Sequence, residues 1–157
     1  MGSTADASMK IQLATVSVRR SASSGPAVEL LALYVERSRR YLPCEHRAFP
    51  TESALLKSLD TASRTRPLLL LADSRGDQLT SEQLAETLGR AQDDGTQSLV
   101  LGIGPADGWS AAALARSARR IAFGRITLPH ELAAVVAAEQ IYRALTIRAG
   151  HPYHCGH

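Results

Sequence analysis

The chain has 157 residues, 45% of them hydrophobic, and its 18 basic and 15 acidic side chains leave a formal charge of +3. That is the arithmetic of one globular domain with one core, and the longest apolar run, 67–72, falls far short of the ~20 residues of a membrane span. Two cysteines, Cys44 and Cys155, cannot build a disulfide framework, so the sequence reads as cytoplasmic and not bound to a membrane.

Residues 1–8 are small and polar without periodicity, and are expected to be a disordered extension or an artificial remnant, leaving 9–157 as a single domain. Ile11, Leu13, Thr15, Val16 and Val18 predict a buried strand, and Gly25-Pro26 opens a helix through Val28, Leu31, Leu33, Tyr34 and Val35 to about Arg39. A short strand over 42–49 is followed by a helix with Thr51 as N-cap that carries Leu55, Leu56 and Leu59. The apolar run from Leu68 to Ala72 predicts a strand buried on both faces, with Asp73-Ser74-Arg75-Gly76 as its turn. Thr80 caps a helix that ends near Asp93-Asp94-Gly95, and Ser98 to Ile103 forms the next strand. A helix from Ser110 to about Arg119, a strand around 121–123, and a last helix from about Glu131 to Ile147 complete the chain. Alternating strands and helices predict an α/β fold, a mostly parallel sheet with helices on both faces. Ligands of such sheets sit at the C-terminal ends of the strands, which selects the loops 72–79, 103–109 and 124–130.

The basic residues are 16 Arg and 2 Lys. Guanidinium groups suit phosphate recognition, although an excess of Arg together with 25 Ala is also what a GC-rich genome produces. Residues 116–157 hold six Arg against Glu131 and Glu139, and four of the five His, so the surface for an anionic ligand such as RNA is expected there. The loop Ile103-Gly-Pro-Ala-Asp-Gly-Trp109 reads either as a backbone cradle for a ligand or as a plain strand-to-helix turn. Leu132, Val135, Val136, Glu139 and Tyr142 share a helical stripe that mixes apolar and polar groups, as dimer or ligand faces do. The tail from His151 to His157 has three His and one Cys; a metal site is one reading, and donors with a proton acceptor for a substrate the other.

Three segments, Phe123-Gly-Arg-Ile-Thr-Leu-Pro-His130, Ala138-Glu-Gln-Ile-Tyr-Arg-Ala144 and Gly150-His-Pro-Tyr-His154, resemble the ribosomal RNA large subunit methyltransferase H family of SPOUT-class enzymes. Ala72-Asp-Ser-Arg-Gly76 is similar to the family's Leu-Asp-Glu-Arg-Gly turn, and Ile103-Gly-Pro-Ala-Asp-Gly108 to its Ile-Gly-Gly-x-x-Gly loop. The resemblance spans nearly the whole chain from Met9. It implies a C-terminal trefoil knot, a homodimer, and methyl transfer from S-adenosylmethionine to N3 of a pseudouridine in large-subunit ribosomal RNA of the assembled ribosome. By position, the cofactor would be cradled by Leu71, Ala72, Gly76, Gly104, Gly108, Phe123, Gly124, Ile126 and Leu128. His130, Tyr142 and Arg143 would face the RNA, with His154, Tyr153 and Arg143 as catalytic residues and no metal. The same resemblance implies a tail that orders over the cofactor, with His154 as base and Arg143 as anion stabiliser. Pro105, Ala72, Ala134 and Cys155 stand where the family has Gly, Leu, Arg and a basic residue. Those departures leave a second reading, a paralogue that binds cofactor or RNA without methylating.

Overall fold

Side-chain alternation along the first strand decides the layering. In β1, Lys10–Val16, Ile11 and Leu13 enter one apolar cluster while Ala14 and Val16 enter another on the opposite face. The computed structural model describes residues 8–17, 24–61, 65–105 and 107–155, so the expectations for residues 1–7, Val18, Ala106 and His157 lie outside the described residues. After β1 come α1 (Pro26–Ser38), β2 (Cys44–Phe49), α2 (Glu52–Thr61), β3 (Leu68–Gln78), α3 (Ser81–Asp93) and β4 (Ser98–Ile103). They are followed by α4 (Ala111–Arg116), β5 (Arg119–Ala122), α5 (His130–Ala149) and a 3-10 turn, Pro152–His154.

The five strands form one sheet in the order β2-β1-β4-β3-β5, and every pairing is parallel. Leu70, Leu99, Leu101 and Ile103 join Ile11 and Leu13 on the face covered by α1, α3 and α5. Leu69, Leu71 and Val100 lie on the other face with Leu55 and Leu59 of α2 and Ala113 of α4. Both faces are therefore buried, as a parallel sheet requires.

Local chemistry sets the helix ends. Thr80 accepts from the Gln83 amide at 3.0 Å and Gln83 Oε1 accepts from the Thr80 amide at 2.9 Å, a reciprocal cap for α3. Thr51 Oγ1 accepts from the Ala54 amide at 3.0 Å, the expected cap of α2. Gly150, at φ 72°, closes α5 two residues beyond the expected end, because it is the first position free to turn left-handed.

Two further differences from the sequence reading concern β3 and the fourth helix. The segment Asp73 to Gly76 is not a terminal turn: β3 bulges between Ala72 and Asp77 and then resumes pairing with β5 at Asp77 and Gln78. Gly76 allows this, since a Cβ there would come within 2.6 Å of the Arg120 carbonyl carbon. The fourth helix stops at Arg116 and does not reach Arg119, because Ser117 is extended and the Ala118 amide already bonds to Leu69 O at 2.8 Å. Sheet pairing with β3 overrides the local helical preference.

Leu13 has no exposed surface, in the middle of the sheet. Leu13→Ala should cost about 2–5 kcal/mol in chemical denaturation, the range for a buried leucine whose neighbours collapse only partly.

Candidate functional site

All three segments selected from the sequence meet at one cavity of about 610 Å³, at the bulge of β3 and beyond the ends of β4 and β5. The first contributes Ala72, Asp73 and Ser74; the second Gly104, Pro105, Gly108 and Trp109; the third Phe123 to His130 apart from Arg125. The expected cofactor residues Ala72, Gly104, Gly108, Phe123, Gly124, Ile126 and Leu128 line it. Leu71 and Gly76 do not: Leu71 is fully buried beneath Gly102, and Gly76 backs onto the β5 main chain.

Trp109 builds the wall, and the sequence reading gave it no role. Its indole Nε1–H donates to Ala72 O at 2.9 Å, tying the loop after β4 to β3 where its bulge begins. The ring lies over Gly102 and Gly104, where a Cβ would approach it to 3.1 Å and 2.7 Å respectively. Glycines at i and i+2 share one strand face, so the pair, with the chain's one tryptophan nearby, is the signal that marked a ring seated there. Asp73 was also missed; its Oδ1 accepts from the Arg75 amide at 2.9 Å, and its carboxylate stands on the cavity wall with Arg120 3.8 Å away.

His130, the first residue of α5, joins that helix to the same loop: Nδ1 bonds to Gly104 O at 2.9 Å. The ring also borders a second, more apolar cavity of about 530 Å³ between α1, β2 and α5, which His46 and Ala134 line as well. His46 Nε2 lies 2.9 Å from Thr15 Oγ1, and burial, with His130 nearby, holds its pKa below the ordinary value.

The tail forms a second polar centre. Glu139 accepts from Arg143 Nη2 at 2.7 Å, from Tyr153 Oη at 2.7 Å and from Gln140 Nε2 at 2.8 Å. Arg143 also contacts His154 Nδ1 at 2.9 Å, and His154 Nε2 lies 3.3 Å from Glu82 Oε1 without the alignment of a hydrogen bond. Burial alone would raise the Glu139 pKa, but the hydrogen bonds from Arg143 and Tyr153 outweigh it and hold the carboxyl below its ordinary 4.5. Burial, reinforced by the bond to Glu139, pushes the Tyr153 phenol upward. Tyr142 is only 9% exposed and packs against Tyr34, Tyr41 and Tyr153, with the Tyr153 ring edge-on at 4.7 Å.

The two centres are separate within one chain. Glu139 and Arg143 lie nine and thirteen residues after His130, or roughly 13 to 20 Å along a helix that rises about 1.5 Å per residue. None of Tyr142, Arg143, Tyr153 and His154 lines the loop cavity. Three of the six Arg of the basic C-terminal segment are paired with carboxylates: Arg119 with Asp77, Arg120 with Asp73 and Arg143 with Glu139. Among the described residues no group of three or more His, Cys, Asp or Glu could hold a metal ion.

A family model described as "Predicted SPOUT methyltransferase" matches residues 9–154. The chain belongs to the SPOUT methyltransferase family. Curated relatives named ribosomal RNA large subunit methyltransferase H include one from Koribacter versatilis, 48% identical over 124 residues, covering 79% of this chain and 85% of that protein. Another, from Sinorhizobium fredii, is 44% identical over 137 residues, covering 86% of this chain and 83% of the relative. Among solved structures, a probable methylase family protein from Haemophilus influenzae aligns at a TM-score of 0.59 and 9% identity, over 92% of this chain and 70% of that one. The SpoU methyltransferase AviRb from Streptomyces viridochromogenes, solved with AdoMet, aligns at 0.52 and 13% identity over 92% and 60%. At those identities the likeness is one of fold.

In this SPOUT methyltransferase the unusual Pro105 is accommodated, because the turn uses its carbonyl, which accepts from the Gly108 amide at 2.9 Å. Ala134 is buried and borders the second cavity, whereas Cys155 is exposed.

Gly104→Val should push the indole off the loop and break its bond to Ala72. Tryptophan emission, which comes from Trp109 alone, should shift to the red while far-ultraviolet dichroism stays unchanged. Because the Glu139 carboxyl titrates lower in the folded chain, it stabilises the protein above its unfolded pKa and loses that contribution as pH falls through the native value. Glu139→Gln should therefore cost about 1–3 kcal/mol at pH 7, the scale of hydrogen bonds to a charged group. Denaturant titrations should show the gap closing below pH 4.5.

Proposed function

We propose that this protein transfers a methyl group from S-adenosylmethionine to N3 of a pseudouridine in large-subunit ribosomal RNA, acting as a homodimer in the cytoplasm. The observation that carries the reading is the convergence of three separated loops on one cavity, in a chain 48% identical to a ribosomal RNA large subunit methyltransferase H. The trefoil knot of the class belongs to the same proposal; in its support, β5 pairs with β3 at the sheet edge while α5 returns to pack on α1 and α3.

The cavity suits that cofactor. Its volume falls within the range of small-molecule sites, and Ile103, Ile121, Phe123, Ile126 and Leu128 supply apolar walls for an adenine. Gly104, Gly108 and Gly124 let a ligand approach the main chain, and the Asp73 carboxylate complements a cationic ligand. When bound, S-adenosylmethionine supplies an electrophilic methyl group on a positively charged sulfur. The protein's part is to hold the acceptor ring in line, exclude water, and manage the N3 proton.

A dimer explains why the loop cavity and the tail lie apart. Leu30 and Leu33 of α1 are each 41% exposed and Leu132 of α5 is 49% exposed, apolar surface that a partner protomer would cover. A twofold contact over this surface would cover it and bring one protomer's Tyr153, His154 and Arg143 towards its partner's cavity. Among the described residues no helix is long and apolar enough to cross a membrane.

Ribosomes from a strain lacking this gene should gain one methyl group at a pseudouridine N3 when given the protein and S-adenosylmethionine, read by mass spectrometry of digested RNA. Cofactor binding without methylation would favour the non-methylating paralogue, whose origin would be the cations lost at Ala134 and Cys155. Leu33→Glu should halve the mass seen by light scattering and abolish methylation.

A further inference from the structure

Two imidazoles border the two polar centres, and their partners assign them opposite tautomers. A carbonyl oxygen only accepts, so the 2.9 Å contact of His130 Nδ1 with Gly104 O places a hydrogen on Nδ1. In the neutral ring Nε2 then carries a lone pair, and no described residue donates to it. A guanidinium only donates, so the 2.9 Å contact of Arg143 Nη1 with His154 Nδ1 uses that ring's lone pair and leaves the hydrogen on Nε2, facing Glu82. The tail histidine, expected to be the base, has its basic nitrogen occupied. No described residue donates to the basic nitrogen of the histidine at the head of α5, and that residue lines both the loop cavity and the second cavity.

We propose that His130 Nε2 is the group that takes the N3 proton of the acceptor base, an inference that rests on the methyltransferase reading above. The N3–H bond breaks and its proton passes to Nε2. The electron pair left on N3 forms the bond to the methyl carbon while the carbon–sulfur bond breaks, its pair returning to sulfur to leave a neutral thioether. The imidazolium then gives its proton to water. The bond to Gly104 holds the ring against the loop that lines the cavity, so the base and the cofactor pocket are set by one contact. The charged and titratable groups around the ring are Glu131 on its own helix, Glu36 and Arg39 of α1, His46 of β2 and Asp73 of β3.

His130→Asn tests this, because the asparagine amide can reproduce the donor at Nδ1 and cannot accept a proton. Single-turnover methylation of ribosomes should fall ~10²-fold or more, the usual worth of a general base, while calorimetric affinity for S-adenosylmethionine stays within about threefold. The wild-type rate should level off with rising pH; the variant rate should climb tenfold per pH unit throughout, as when solvent removes the proton first, and added imidazole should restore part of the loss. Independently of activity, multiple-bond 1H–15N correlation spectra of the free, histidine-labelled protein should show His130 as the Nδ1–H tautomer. A near-wild-type rate, a retained plateau, loss of cofactor binding in the variant, or an Nε2–H tautomer would each overturn the proposal. Failure of the wild-type protein to methylate any ribosome would instead remove the function on which it rests.

Discussion

Because all five strands run parallel, every strand ends on the same edge of the sheet, and every connection must cross back along a face before the next strand begins. The chemistry of the protein follows from that constraint. Segments about twenty to thirty residues apart in the chain become neighbours, and the bulge of β3 with the exits of β4 and β5 encloses one cavity. The sheet's two buried faces hold the exits still, since a shift in register would move each alternating side chain into the wrong layer.

On that frame the site is built from a few polar contacts between loops. The indole of Trp109 binds β3 at its bulge, His130 binds the β4 exit, and each uses a main-chain carbonyl as anchor. Glycine is needed where these rings and strands come close: Gly104 beneath the indole, and Gly76 where the bulge in β3 meets the β5 backbone. Such contacts cost the loops their freedom before any ligand arrives, which is a form of preorganisation.

The tail solves a different problem. Glu139 and Arg143, only 17% and 20% exposed, could not be left unpaired beside the core, and each completes its hydrogen bonds with the other and with the tail. The aromatic rings of Tyr34, Tyr41, Tyr142 and Tyr153 pack beneath. These contacts explain how the short turn Pro152–His154 holds the Tyr153 and His154 side chains in place.

The order of the strands, the helix caps at Thr51 and Thr80, and the three segments that meet at one cavity were legible from the sequence, because alternation, capping chemistry and glycine placement are local properties. So were the motifs that join the chain to its family. What the sequence left open depends on contacts between distant segments: the length of β3, decided by pairing with β5; the burial of Tyr142, decided by three other tyrosines; and the placing of Leu71 and Gly76 behind the cavity wall. The protonation pattern of the histidines belongs to the same class. A histidine's sequence neighbours do not reveal whether a carbonyl or a guanidinium will meet its Nδ1, and here Gly104, twenty-six residues before His130, and Arg143, eleven before His154, make that choice. Residue type supplied the possible chemistry, and only the packed chain, by taking one lone pair and leaving the other, decided where it could act.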